Sequence, residues 1–429
     1  MRKDKLVEEV ISYFLLTLVG VLSQFVLTPL FIKSFGEDDY SRVFIIISIC
    51  SFVLVSDYGI YQFVSSRLLF TFQNDNYFSI DLWKHYLITV TKLTLGIGLL
   101  LFLYFIYLTR SNPVLWEGFK FSWLIFVIFL SYTSMSLLNH AQLIKFQINN
   151  KFGLGLRYLA YLRLLEVAFQ GFALFCKLEV ITFSLIAFVL RIIISVTFWH
   201  LGKTSFQITK LKSKQKSPVH EFSLIKHSLG AAIFNFTNLL SLHGSMLIAS
   251  LWITPELMFL LLIARMISSP VRYFTDSVVH GGLPRITSYF QKFDKALQIK
   301  DKNKMSWVWI IPLTIFFCFF SITIVILSPF LWTYLSFGNT EYPKALILFF
   351  LVAALLNSAA TLYAMLGIAR NQGTLVQYLF LVSTLISLGF QYGLRNILFV
   401  YSVPISIVIG DLIFIFFMSS FKIRKQLIK

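Results

Sequence analysis

Charge is scarce in this sequence. Only 13% of its 429 residues are Asp, Glu, Lys or Arg, where a soluble globular protein carries about a quarter. That shortage excludes an ordinary water-soluble fold. Acid is scarcer still, with 19 Asp and Glu against 37 Lys and Arg. Cysteine is nearly absent. Cys50, Cys176 and Cys318 lie singly in apolar runs, without Cys-x-x-Cys spacing, which points to packing rather than a metal or redox centre. There is no Gly-rich nucleotide loop, no metal-ligand spacing and no nucleophile triad, and the seven His are scattered. No catalytic residue, metal site or cofactor is therefore assigned. Long hydrophilic loops are missing too, which leaves no room for an extramembrane domain.

What is abundant is apolar. The sequence is 57% hydrophobic and holds 47 Phe. The apolar runs far exceed the ~10-residue alternating segments of outer-membrane barrels, so the membrane is crossed by helices. Twelve candidate spans emerge, near 10–32, 43–66, 86–108, 118–139, 156–176, 179–200, 224–252, 256–283, 306–333, 343–368, 374–394 and 397–420. The opening "MRKDKLVEEV" leads into a full-length span without a small-residue cleavage site, and reads as a retained first helix.

A net charge of +18 would suit nucleic acid in a soluble protein. In a membrane protein it reads as positive loops on the cytoplasmic side. With the N-terminus inside, 25 of the 37 Lys and Arg fall in inside segments, seven in outside loops and five within spans. That asymmetry predicts an even span count with both termini in the cytoplasm. The longest connection, "GKTSFQITKLKSKQKSPVHEF", is basic and divides the helices six and six. The expected organisation is an N-terminal six-helix bundle over 1–200, a cytoplasmic linker over 201–223 with affinity for anionic lipid, and a C-terminal six-helix bundle over 224–429.

Residues 33–68, "KSFGEDDYSRVFIIISICSFVLVSDYGIYQFVSSRL", carry a resemblance. A first helix ends in "LTPLFIKSFG". An acidic turn with Tyr40 follows, then a second apolar helix, "DYG", and Arg67. This resembles the polysaccharide-exporter branch of the multidrug/oligosaccharidyl-lipid/polysaccharide (MOP) superfamily, and within it the O-antigen or capsule flippases. "GGLPRI" at 281–286 looks like the second-half counterpart, closing the eighth helix. Tyr40 is followed by Ser41–Arg42, where that family often has Gly. The resemblance implies two six-helix bundles in a V around a central cavity. It implies alternating access that moves an undecaprenyl-pyrophosphate-linked oligosaccharide from the cytoplasmic to the periplasmic leaflet of a bacterial inner membrane. A polysaccharide polymerase and a chain-length regulator would be partners, the protein would act as a monomer among membrane lipids, and nucleic acid would have no part. The drug exporters of the superfamily share twelve helices and stand as the alternative, a cation- or proton-coupled multidrug antiporter.

The charges inside the spans are the candidate site, because a charge near the bilayer centre costs from a few to over ten kcal/mol and avoids lipid. On the eighth helix Arg265, Ser269, Arg272 and Asp276 share one face, and "SSP" at 268–270 is expected to interrupt it, with Pro270 freeing a carbonyl. The alternative is a structural Arg272–Asp276 pair. On the fifth helix Arg163, Glu166 and Gln170 share a face, with a local Arg–Glu pair as the plain reading. Arg191 has no acid on its own helix and must find a partner elsewhere. Lys92 is placed to snorkel. Arg163, Arg191, Arg265 and Arg272 are the expected cavity cations for a pyrophosphate cargo, since guanidinium matches phosphate geometry. Asn235, Asn238, His243 and Asn357, with Tyr363 and Trp252, could meet the glycan, although Asn at helix contacts is commoner. Asp57 is expected to pair with a cavity Arg, to bind a proton or Na⁺, or to cap a local irregularity. Asp411 raises the same question. Five cations against four acids (Asp57, Glu166, Asp276 and Asp411) lean toward an anionic cargo.

Overall fold

A computed structural model describes residues 3–57, 60, 61, 64, 68, 80–119, 121–149, 151–205, 230, 232–293, 319–338, 341–369 and 373–419, with the side chains of 276–293 and a few others, among them Tyr363, outside the description. The described residues are almost all helical and contain no strand. That follows from the solvent: in hydrocarbon every backbone N–H and C=O must be satisfied within the segment, which a helix does. Exposed side chains such as Leu95, Leu99, Leu100 and Leu103 line the outer face of one helix, where acyl chains replace water.

In order, the helices are α1 (Lys3–Phe35), α2 (Glu37–Ser51, continued through a 3₁₀ turn at Phe52–Leu54), α3 (Ile80–Ser111), α4 (Ser122–Ile148), α5 (Phe152–Phe175) and α6 (Val180–Ser205). Then come α7 (232–249), α8 (Pro255–Phe293), α9 (Phe319–Ser336), α10 (Lys344–Ala369), α11 (Gly373–Leu398) and α12 (Ser402–Ser419). Ten runs among the described residues are long and apolar enough to cross a membrane, not the twelve expected. One reason lies in Leu375–Met418, a single 44-residue run that joins α11 to α12 through a 3₁₀ turn at Phe399–Tyr401. At about 66 Å that run is twice the hydrocarbon thickness. It folds back because Phe399 takes φ 49°, a left-handed value that ends α11. The other reason is that the expected span 224–252 begins among residues outside the description.

The chain divides into two compact units, Lys3–Pro255 and Glu256–Lys429. The linker expected at 201–223 lies largely outside the described residues. In the first unit α1 packs along α5, and Ser34 Oγ donates to Leu174 O at 2.9 Å. Helices α4, α5 and α6 meet in an aromatic core, where Phe146 stacks on Phe198 at 5.5 Å. Gly155 makes this possible: a Cβ there would stand 2.7 Å from Phe146 Cγ. Small residues at such contacts let helix backbones approach where no hydrophobic force drives them together. One end of this unit is tied by Arg42, whose Nε donates to Leu115 O at 2.6 Å while Nη1 pairs with Asp39 at 2.9 Å. Asn112 Nδ2 donates to Ser250 O at 3.0 Å and Ser41 Oγ to Pro255 O at 3.3 Å, so α7 belongs to the first unit.

In the second unit α12 lies against both α10 and α11. Ser387 Oγ donates across to Ser406 O at 2.6 Å, and Gly410 sits so close that a Cβ would approach Ser387 Cβ at 2.6 Å. Helix α8 runs unbroken for 39 residues, through Pro270 and through "GGLPRI". Both expected interruptions are corrected. The reason at Pro270 is local. Proline removes the N–H that would bond Met266 O, and the neighbouring hydroxyl replaces it: Ser269 Oγ donates to Met266 O at 2.8 Å, as Ser268 Oγ does to Arg265 O.

Candidate functional site

Three buried polar clusters occupy the helices, two in the first unit and one in the second. The first is built on Arg191, 4% exposed on α6. Its partner comes from α5: Nη2 lies 3.1 Å from Glu166 Oε2. Tyr132 on α4 completes the arrangement. Its hydroxyl accepts from Arg191 Nη2, and its ring faces the guanidinium with Cζ 4.2 Å from the centroid. One aromatic thus offers both an acceptor and a negative π-face to the same cation. The Arg163 charge, three residues before Glu166, also acts at Tyr132. Gln170 is buried one turn further along α5. Glu166 Oε1 and Arg191 Nε and Nη1 have no hydrogen-bond partner among the described residues, leaving capacity for water or a polar ligand.

The second cluster surrounds Asp57, which is wholly buried. Among the described residues no arginine pairs with it. Tyr86 on α3 donates its hydroxyl to Oδ1, and His140 on α4 places Nδ1 2.7 Å from Oδ2. Tyr61 stands beside the pair, its ring 5.8 Å from that of His140. Just before the acid, Ser56 bonds Val53 O at 2.7 Å and Thr94 at 2.9 Å, which holds the 3₁₀ turn against α3. Both carboxylate oxygens are engaged, and His140 is about one-quarter exposed, so the cluster reaches the surface through the imidazole.

The third cluster lies in the second unit. Asp411 on α12 accepts from Asn357 Nδ2 of α10 at 3.3 Å. Its Oδ2 is buried without a hydrogen-bond partner among the described residues. Arg272 of α8, 7% exposed, is near enough to act on it electrostatically. Arg265 is half-buried two turns before Arg272. The carboxylate of Asp276, and with it the expected Arg272–Asp276 pair, lies outside the described side chains.

The remaining expected residues are dispersed. Asn235 is buried and Asn238 half-buried on α7, and His243 falls in a π-helical segment, Leu240–Gly244. Such bulges often mark functional positions in membrane helices. Lys92 is exposed. Sequence reasoning missed Tyr86, Tyr132 and His140. Only one signal pointed their way: an arginine with no acid on its own helix must be met from a neighbour. The tyrosines carried no spacing signal at all.

No family model matches the sequence, and no curated protein matches it. Solved structures do. An inward-facing multidrug-resistance MATE family transporter of the MOP superfamily superposes with TM-score 0.63 at 13% identity, over 95% of each chain. An outward-facing one gives 0.65 at 12% identity, over 99% of this chain and 96% of that one. A MOP superfamily transporter from Pyrococcus furiosus, described as having a binding pocket of reversed polarity that suggests a different function, gives 0.61 at 13% identity, over 99% and 96%. This multi-pass, all-helical chain has the MATE-like fold of MOP superfamily transporters.

Proposed function

We propose that this protein is an exporter of the MOP type whose cargo is an undecaprenyl-pyrophosphate-linked oligosaccharide, carried across a bacterial inner membrane by alternating access. The observation that carries the reading is Arg191, a buried guanidinium whose Nε and Nη1 have no hydrogen-bond partner among the described residues. Its described ion pair is with Glu166, while Asp57 is taken by His140 and Tyr86. In the second unit Arg265 and Arg272 lie on one helix, and Arg272 is near enough to act electrostatically on Asp411. A pyrophosphate moved bare through hydrocarbon would face a barrier of tens of kcal/mol, and fixed guanidinium groups lower it through bidentate pairing. Asn235, Asn238, His243 and Asn357 then serve the sugars. Asp57 and Asp411 are the places where a proton or Na⁺ would couple to the cycle. Polymerase and chain-length regulator remain the expected partners.

A second reading has its own support: the matching structures include multidrug transporters, and a cation antiporter would use the same two acids. Deletion of the gene in a bacterium with a characterised surface glycan separates the two. The flippase reading requires loss of that glycan, with lipid-linked repeat units accumulating on the cytoplasmic side. An intact glycan with raised sensitivity to cationic drugs would replace it with the antiporter.

A further inference from the structure

A second set of cations lies away from the three clusters, at the end of α3, α4 and α6 that adjoins the lysine-rich connections. Lys145 on α4 points its ammonium between two indoles, 4.5 Å from the Trp83 ring of α3 and 4.8 Å from the Trp199 ring of α6. The two rings lie 5.7 Å apart, and Trp83 Nε1 donates to Ala141 O at 3.4 Å, which fixes one wall. Lys203 of α6 is near enough to repel Lys145. No carboxylate pairs with either lysine among the described residues. Two ammonium groups brought together without an acid are a standing demand for an anion.

The interior behind them makes the same demand independently. Gln142, one turn before Lys145, is fully buried, and neither amide atom has a hydrogen-bond partner among the described residues. It packs on Gly202, the residue before Lys203, where a Cβ would come within 2.7 Å of Gln142 Oε1. Glycine thus leaves the amide just enough room at the base of the lysine pair. Indoles are enriched at the headgroup level of a bilayer.

We propose that Lys145 and Lys203, walled by Trp83 and Trp199 and backed by the Gln142 amide, form a binding site for a phosphate-bearing headgroup at the membrane surface. The lysines neutralise the phosphate. The indoles hold the Lys145 ammonium in place so that little rotamer entropy is lost on binding. The Gln142 amide takes a hydroxyl or bridging water of the headgroup. The site follows from its own geometry and stands whichever cargo the buried arginines serve.

The test uses the full-length protein, delipidated in detergent and titrated with phosphatidylglycerol, undecaprenyl phosphate or phosphatidylcholine, with native mass spectrometry counting bound lipid. The wild type should retain one anionic lipid in preference to phosphatidylcholine. K145Q/K203Q should weaken that retention about 25-fold, roughly fivefold for each lysine near a headgroup. K145R/K203R should retain it, which separates charge from packing. Displacement by inorganic phosphate would identify a soluble source for the anion, and resistance to it a lipid source. Equal retention by wild type and K145Q/K203Q, or the same loss in K145R/K203R, would overturn the proposal.

Discussion

The Arg191–Glu166–Tyr132 arrangement makes a quantitative prediction. Glu166→Leu removes the carboxylate 3.1 Å from a guanidinium that is 4% exposed. An unpaired buried charge costs about 3–5 kcal/mol. The upper end applies here, because Arg163 stays nearby and two like charges then share one site. Arg191→Met leaves the opposite orphan, Glu166, with Arg163 three residues before it on α5 as a substitute partner, so the loss should be at the lower end, about 3 kcal/mol. Removing both groups leaves nothing to desolvate. The double variant should therefore lie within about 1 kcal/mol of wild type, as replaced buried pairs often do. Tyr132→Phe keeps the ring and loses only the hydroxyl, for about 0.6–1.7 kcal/mol on the scale measured between membrane helices. Reversible unfolding in mixed detergent micelles reads all four. Additive losses, with the double variant as unstable as the sum of the singles, would refute a mutual pair. Export by the stable double variant answers a separate question: if it carries cargo at the wild-type rate, Arg191 serves structure alone.

Other expectations follow from single contacts. Gly155→Val should cost about 1–3 kcal/mol by overpacking, since even a Cβ meets Phe146 at 2.7 Å, and thermal unfolding of the purified protein measures it. Ser269→Ala leaves Met266 O without its hydroxyl donor and should cost about 0.5–1.5 kcal/mol, with a larger kink at Pro270 visible by electron-spin distances along α8. Asp57→Asn keeps an acceptor for Tyr86 but removes the charge that His140 faces. If this cluster couples a proton to transport, the variant should fold normally while its export no longer responds to a pH gradient, and an unaltered response in vesicles would remove Asp57 from coupling.

Much of the fold was readable because a bilayer imposes one rule, that apolar runs must be helical, and the sequence obeys it almost everywhere. That rule is silent on where one helix hands over to the next: the gap expected at 395–396 stands at Phe399–Tyr401 in the structure. Nothing in "GLRNILFVYSVP" marks Phe399 as the residue that turns left-handed, since its neighbours are as apolar as any span. The break expected at Pro270 failed for a different reason: proline's effect on a helix depends on whether a side chain can take the freed carbonyl, and Ser269 does. At the candidate site, periodicity placed Arg163 and Glu166 on one face of α5, and an i, i+3 pair was the local inference. The alternative partner, Arg191, is 25 positions further on from Glu166 and reaches it only through the packing of α5 on α6, which no single-helix pattern encodes.

The pairing pattern also constrains mechanism. The described acid-to-partner contacts in these clusters are made within one unit: Glu166 to Arg191, Asp57 to His140 and Tyr86, Asp411 to Asn357. Groups satisfied inside a unit keep their partners if that unit moves as a body, so their desolvation cost does not recur in each cycle. Charges that must re-form partners at every turn would instead add several kcal/mol to the barrier each time. Arg191 Nε and Nη1, by contrast, have no hydrogen-bond partner among the described residues. Under the proposed alternating access, those two donors would be the groups able to exchange water for a phosphate oxygen without breaking the Arg191–Glu166 pair.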